Sequence, residues 1–319
     1  MRLIKRMKDV GFWVSSRSGP VALGALLLYG FFFVNNFTTE ANLTSILLQY
    51  SIIGCLALGQ LIVILTGGID LSQGSQIALA TVVCAVVMSR LGLAAGIIMA
   101  LLIPTLIGFT SGLLVSRLKM PAFIVTLGML GVSRGLAMRI ANARPVSITI
   151  DGFKQFGFAT LLRIPVAAII FGITAGFVYY LLKKRRLGRY LYAVGSSEES
   201  ARLSGVSITK VKLFAYTASG FLTAVGGILL TARLGSGSPI GGSAYELESI
   251  AAVVVGGGSL FGGIGSVGGT VSGVFIFGVI NSILNLTGIP PFWQGTMKGL
   301  IILAAVALSQ MKQKGRAET

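Results

Sequence analysis

Gly188-Arg-Tyr-Leu-Tyr-Ala-Val-Gly-Ser-Ser-Glu-Glu-Ser-Ala-Arg-Leu-Ser-Gly-Val206 is a polar, basic and partly helical island between two apolar runs, 164–182 and 213–232. Each run is close to the roughly 20 mostly apolar residues that a membrane-crossing helix needs. A pure membrane span has no use for such an island, and a random linker lacks its pattern of small and charged residues. It reads as a docking surface for a soluble partner on the cytoplasmic side of a polytopic membrane protein.

Composition points the same way. Of 319 residues, 54% are hydrophobic and only 11% charged, and the mean hydropathy is +0.88. A soluble domain of this make-up has too few charges to cover its surface. The formal net charge of +17 does not form a stripe on a soluble domain; the cations sit at the ends of apolar runs, as membrane topology requires. Nucleic acid is therefore not an expected partner, whereas membrane lipid is. Cys55 and Cys84 lie inside apolar segments and read as small hydrophobes rather than a disulfide or metal framework. The chain has no histidine and no phosphate-binding Gly-x-x-x-x-Gly-Lys-Ser/Thr loop, so no metal, cofactor or catalytic residue is expected. If ATP is used, another polypeptide binds it.

Working outward from the island, the spacing predicts an all-α protein with about ten crossings. They fall near 19–35, 44–65, 73–89, 92–116, 121–140, 164–182, 213–232, 249–264, 266–286 and 293–310. The basic run before 21–34 resembles a signal peptide, but no small-x-small cleavage site follows, and it reads as a retained span. Lys and Arg concentrate in the N-tail, 117–120, 183–212 and the C-tail, which places both termini in the cytoplasm. The loop 141–163 departs from this pattern, since Arg144, Lys154 and Arg163 there face only Asp151. The organisation is a cytoplasmic tail 1–18, a transmembrane domain 19–310 with a cytoplasmic loop 183–212, and a tail 311–319. Gly265, Gly269 and Gly273 recur at helical spacing and suggest close helix packing.

Several polar groups interrupt the apolar runs. Thr66-Gly-Gly-Ile-Asp-Leu-Ser-Gln-Gly74 is either an ordinary turn, with Asp70 solvated or capping the next helix, or a broken segment at the translocation path. Unwound backbone at membrane depth is tolerated only beside protein or water, and an ionisable residue there is costly. Thr66, Gly67, Gly68, Asp70 and Ser72 are the path candidates. Arg134, in the run that opens at Pro121, either faces the bundle interior or snorkels outward. Glu246 and Glu248 precede a short apolar piece that ends in glycines. They are either a helix N-terminal charge pair near the outer surface, or part of the path or of a contact with an outside partner, and 241–263 suits a helix hairpin or a re-entrant element. Gly263-Ile-Gly265-Ser-Val-Gly268 matches the dinucleotide fingerprint formally, but it lies in an apolar run and lacks the acidic residue that holds a ribose.

Taken in order, Leu65-Thr-Gly-Gly-Ile-Asp-Leu-Ser72, Ala122-Phe-Ile-Val-Thr-Leu127 with Arg134-Gly135, Leu187-Gly-Arg-Tyr-Leu-Tyr-Ala-Val-Gly195, Ala201-Arg-Leu-Ser-Gly205, and Tyr245-Glu-Leu-Glu-Ser-Ile-Ala-Ala-Val-Val-Val255 with Gly257-Gly-Ser-Leu260 resemble the ribose-type permease subunits of ABC importers for monosaccharides. The family more often has Asp at Glu248, Val at Gln73, and Gly-Gly-Thr-Ser at Gly256–Ser259. The resemblance implies a bacterial inner-membrane permease that works as a pair, with a cytoplasmic ABC ATPase and an extracytoplasmic sugar-binding protein. It also implies that the island contacts the ATPase, through Gly188, Arg189, Gly195, Ser197, Glu198, Glu199, Ala201, Arg202, Leu203, Ser204 and Gly205. A short helix over 197–203, capped by Ser196 or Ser197 with Glu198 and Glu199 in its first turn, suits that task. A gradient-driven secondary transporter with broken helices at the midplane is the alternative.

Overall fold

The computed structural model describes residues 19–290, 293, 295–297, 299 and 300. The tails 1–18 and 311–319 lie outside them, as does much of the crossing expected over 293–310. Seven described helices are long and apolar enough to cross a membrane: α2 (Glu40–Leu65), α3 (Gln73–Leu91), α4 (Leu93–Arg117), α5 (Ala122–Ile140), α7 (Val166–Lys184), α10 (Ile208–Leu234) and α12 (Val267–Leu286). Shorter helices are α1 (Gly19–Phe33), α6 (Asp151–Phe158), α8 (Arg186–Ser196), α9 (Glu198–Leu203) and α11 (Tyr245–Val255). Strand structure among these residues is confined to two short antiparallel pairings: β1 (Val146–Ser147) with β4 (Ser236–Gly237), and β2 (Thr160–Leu161) with β3 (Ile164–Pro165).

The expected crossing over 249–264 is corrected. α11 has 11 residues, about 17 Å at 1.5 Å per residue, against a hydrocarbon core of about 30 Å. It ends at Gly256-Gly-Gly258, where the last N–H groups fold back on Val253 and Val254 carbonyls. The helical part of this stretch is half the length of a span, and the rest of the passage is irregular chain. Gly265 likewise falls before α12, whereas Gly269 and Gly273 lie on it and press against α11 at Gly256 and Ala252.

α2 is the axis of the bundle. It is strongly apolar and buried without a break from Tyr50 to Leu65, whereas α4, α5 and α7 are buried at only a few positions each and form the rim. A helix without a polar face belongs inside a larger assembly. In lipid, helices associate by close approach rather than by the hydrophobic effect, and glycine provides it here. A Cβ built on Gly108 of α4 lies 3.1 Å from Gly220 Cα on α10, with the carbonyl of Tyr216 closer still.

The connections sort into two ends. The segments 66–72, 117–121, 185–207 and 256–266 meet at one end, where Tyr192 Oη donates to the Gly265 carbonyl at 2.9 Å. The segment 141–165 lies at the other, tied to the exit of α10 by the Val146–Gly237 pairing. This is the alternation expected of the loops from the distribution of Lys and Arg.

Candidate functional site

α2 stops because Thr66-Gly67-Gly68 leaves the helix, with Gly67 at φ +77, a conformation that only glycine adopts without strain. The chain then runs back into the bundle instead of turning at its surface. Gln73 Nε2 donates to the Leu56 carbonyl at 3.0 Å, nine residues before the end of α2, hence about 14 Å inside it. It also donates to Ser219 Oγ at 3.0 Å, eleven residues into α10. α3 therefore begins near mid-depth.

Asp70 sits on this returning segment and is fully buried. Its Oδ1 accepts from the Ser72 backbone N–H at 3.0 Å and from Ser72 Oγ at 2.5 Å. Its Oδ2 accepts from Ser219 Oγ at 2.8 Å. The solvated-turn reading of 66–74 is excluded by this burial. Gln60, with its amide oriented to satisfy both atoms, donates to the Asp70 carbonyl at 3.1 Å and accepts from its N–H at 3.2 Å. Ser249 Oγ donates to Gln73 Oε1 at 2.7 Å, which joins α11 to the same network. Uncompensated, these polar groups would each cost several kcal/mol at this depth; joined to one another they fix how α2, α3, α10 and α11 meet.

A second return comes from the opposite end. After α10, residues 236–244 descend along α3: Ser238 N–H donates to Thr81 Oγ1 at 3.0 Å, and Gly242 packs on Ile77 and Gly74. α11 starts there and continues toward the first end. The beginnings of α3 and α11 thus face one another inside the bundle, and Arg134 lies beside them. Its Nη1 donates to the Pro239 carbonyl at 2.7 Å and its Nη2 to the Gly74 carbonyl at 3.3 Å. Of the two readings of Arg134, interior rather than snorkelling holds. Glu246 touches Gly74 and keeps Oε2 without a hydrogen-bond partner. Glu248 is 9% exposed, so a charge pair at the outer surface is not what the fold builds.

At the first end α8 lies across the bundle, its buried face formed by Gly188, Leu191 and Val194. Gly195 rests directly on the Leu65 carbonyl and on Gly263 N, and Gly188 on the Leu181 and Leu182 carbonyls. α9 follows, as the cap pattern requires: Ser197 Oγ accepts from Ser200 N–H at 3.2 Å. Ala201 is buried beneath it, while Arg189, Glu198, Glu199, Arg202, Leu203, Ser204 and Gly205 are exposed. Arg202 pairs with Glu199 at 2.7 Å, and Glu198 with Lys212 of α10. A cavity of about 880 Å³ opens here between Thr66, Gly67, Lys119, Pro121, Glu199, Arg202 and Tyr216. Thr66, Gly67 and Gly68 therefore stand with the island, whereas Asp70, Ser72, Arg134 and Glu246 gather deeper.

Sequence reasoning missed Gln60, Ser219, Ser249 and Tyr216. The available signal was an amide or hydroxyl inside an otherwise apolar run, where an unsatisfied polar group is expensive.

Residues 42–306 match the family model described as branched-chain amino acid transport system / permease component. The chain is 39% identical over 306 residues to the ribose import permease protein of Escherichia coli (strain K12), covering 94% of this chain and 95% of that one. It is 40% identical over 304 residues to the ribose import permease protein of Bacillus subtilis (strain 168), covering 94% of each. It is 37% identical over 308 residues to the L-arabinose transport system permease protein of Escherichia coli (strain K12), covering 93% and 90%. No solved structure matches it. With two interrupted helices meeting inside an apolar bundle and a match over most of its length, the chain belongs to this family of transport-system permease components.

Proposed function

We propose that the chain is the membrane-spanning permease subunit of an ATP-driven importer for a monosaccharide, ribose or a related sugar, delivered by an extracytoplasmic binding protein. It is a multi-pass protein of the bacterial inner membrane, and it breaks no bond itself. The sugars named for its relatives support the substrate class. Two copies enclose the path, lined on each by the irregular segments 66–72 and 238–244 and by Arg134. Ile240 and Leu247 are 62% and 48% exposed beside that segment, and irregular backbone at this depth belongs against protein or a water-filled cavity, not lipid. About ten crossings complete the topology: α1, the seven long helices, the half-crossing α11 and the segment near 293–310, with both termini cytoplasmic.

The observation that carries this reading is α9. A capped helix, seated by Ala201 and paired to α10, presents Leu203 79% exposed, and its root is held on backbone at Gly195. ATP-driven closure of the partner moves this helix as a rigid body and tilts the attached spans toward an outward opening. The sugar then crosses a weakly binding polar route.

The test is reconstitution of the chain in proteoliposomes with an ABC ATPase and a sugar-binding protein encoded beside it. Labelled ribose uptake should require ATP and both partners. Accumulation by the chain alone under an ion gradient would establish the secondary-transporter alternative instead.

A further inference from the structure

Gly74, in the first turn of α3, has a cation against its carbonyl and an anion against its Cα. The carbonyl accepts from Arg134 Nη2 at 3.3 Å. A Cβ added to Gly74 would fall on Glu246 Oε2, with the Gly242 carbonyl 2.8 Å away, so only glycine lets the carboxylate come this close. The two charges feel one another, yet among the described residues no ion pair joins them.

Neither group has used its full hydrogen-bonding capacity. A guanidinium has five N–H donors, and Arg134 places two of them, on the Pro239 and Gly74 carbonyls. Glu246 Oε2 has no partner. A carboxylate oxygen left unsatisfied inside an apolar bundle is costly, and direct pairing with the arginine would relieve it. Arg134 is instead held back by its two carbonyls, and Glu246 by its seat on Gly74. A hydroxyl both donates and accepts. With its oxygen about 2.9 Å from the guanidinium and about 2.7 Å from the carboxylate, it bridges roughly 5 Å, a gap wider than the roughly 4 Å of an ion pair.

The place is open to a solute. Gly131 and Gly135 flank Arg134 on α5, and an added Cβ at either meets nothing within 4 Å. Leu247, next to Glu246, is 48% exposed. The pair carries no net charge, so an anion or a cation meets one attraction and one repulsion there, whereas a neutral hydroxyl satisfies both groups. Water makes the same two contacts, so a passing hydroxyl exchanges with water and is not trapped.

We propose that Arg134 and Glu246 form a subsite for one sugar hydroxyl, which accepts from the guanidinium and donates to the carboxylate. This deepens the importer reading and rests on it: the pair is where the route tells a polyol from a solute that lacks the hydroxyl.

The test is ATP-driven uptake by the reconstituted complex of labelled ribose and of each of its monodeoxy analogues, at concentrations that saturate the binding protein. In the unaltered chain one analogue should be taken up about tenfold more slowly than ribose, the worth of one hydrogen bond to a charged group. Glu246→Ala should bring ribose down to the rate of that analogue, so that their ratio falls to within about twofold. Arg134→Lys should narrow the ratio for the same analogue. If the alanine variant does not fold, Glu246→Gln keeps the shape, weakens the bond, and should narrow the ratio part of the way. Variants that slow all the sugars together, with every ratio unchanged, give the pair a structural role and overturn the subsite while leaving the importer reading intact. An unaltered chain that takes up all the analogues as fast as ribose does the same. Absence of ATP-driven uptake of any sugar by the unaltered complex overturns both.

Discussion

Gly195→Ala adds one methyl group at the point where the island meets the bundle. The new Cβ would fall on the Leu65 carbonyl, with Leu65 C at 2.9 Å and Gly263 N at 2.5 Å. All three are backbone atoms, and none yields by a rotamer change. They also belong to one hydrogen bond, Gly263 N–H to the Leu65 carbonyl at 3.1 Å. Overpacking of this kind costs about 1–3 kcal/mol, and stretching that bond adds about 1 kcal/mol. Alanine returns about 0.5–1 kcal/mol through its better helix propensity. The net loss is roughly 1–3 kcal/mol, enough to lower the docked fraction of α8 between about fivefold and a hundredfold. Gly205→Ala is the control: it has φ +78 but no neighbour within 4 Å, so it strains the backbone by about 1 kcal/mol without touching the bundle. Thermal unfolding in detergent, capture of the ATPase and labelled-sugar uptake should all fall for Gly195→Ala, while Gly205→Ala keeps its melting temperature within a few degrees. Equal melting temperatures and uptake for Gly195→Ala and the unaltered chain would refute the reasoning.

Asp70→Ala leaves the two Ser72 donors and the Ser219 hydroxyl without their acceptor; at about 1–3 kcal/mol per buried unsatisfied group, a loss of about 3–9 kcal/mol and of most uptake is expected in melting and transport assays. Gln73→Val removes the amide bridge but leaves Ser219 on Asp70 and Ser249 on the Glu246 carbonyl, so it should cost only about 1–2 kcal/mol and keep uptake within about threefold. Arg134→Gln should lower uptake at least tenfold by freeing the Pro239 and Gly74 carbonyls, with Arg134→Lys intermediate because an ammonium lacks the fork; equal uptake in all three would remove Arg134 from the path. Lys212→Ala breaks a partly exposed ion pair with Glu198 and should change stability by no more than about 1 kcal/mol. Glu198→Lys should in addition weaken ATPase capture well beyond that amount.

What the residues disclosed in advance follows from how each kind of signal arises. Hydropathy is summed over a long window, so α2, α3, α4, α5, α7, α10 and α12 fall within a few residues of their expected positions. A cap is a local pattern, and Ser197 with Glu198 and Glu199 yielded α9 directly. The returning segments were harder. Residues 249–264 are apolar enough for a span, and only the glycine break after Val255 shortens them to a half-crossing. Gln73 stood out as a departure from its family, yet its place as a bridge between Leu56, Ser219 and Ser249 depends on contacts 17, 146 and 176 residues away. No spacing rule encodes those pairings, because they are set by how the helices cross.

The same crossings decide how force would travel under the proposed coupling through α9. A displaced α9 pulls on α10 through Glu198 and Lys212 and on α8 through the chain itself. α8 has no slack to absorb the pull, since Gly188 and Gly195 meet backbone rather than flexible side chains. Tyr192 fixes it further to the Gly265 carbonyl. Packed interfaces of this kind are bistable rather than continuously deformable, so a shift of α8 is passed to Leu65. Thr66 is the next residue, and from it the chain enters the segment that ends on Asp70. That segment is held to α10 by Ser219, eleven residues beyond the start of the helix α9 pulls on. Both routes from α9 therefore converge on Asp70, one along the backbone through Leu65 and one along α10. A tilt of α10 relative to α2 must then either carry the segment 66–72 with it or break the Asp70–Ser219 contact. Ser219→Ala separates these outcomes: it uncouples α10 from the segment while leaving Ser72 on Asp70. If the segment has to be carried, ATP hydrolysis by the assembled complex should persist while sugar uptake falls; if the contact has to break, uptake should be maintained or rise.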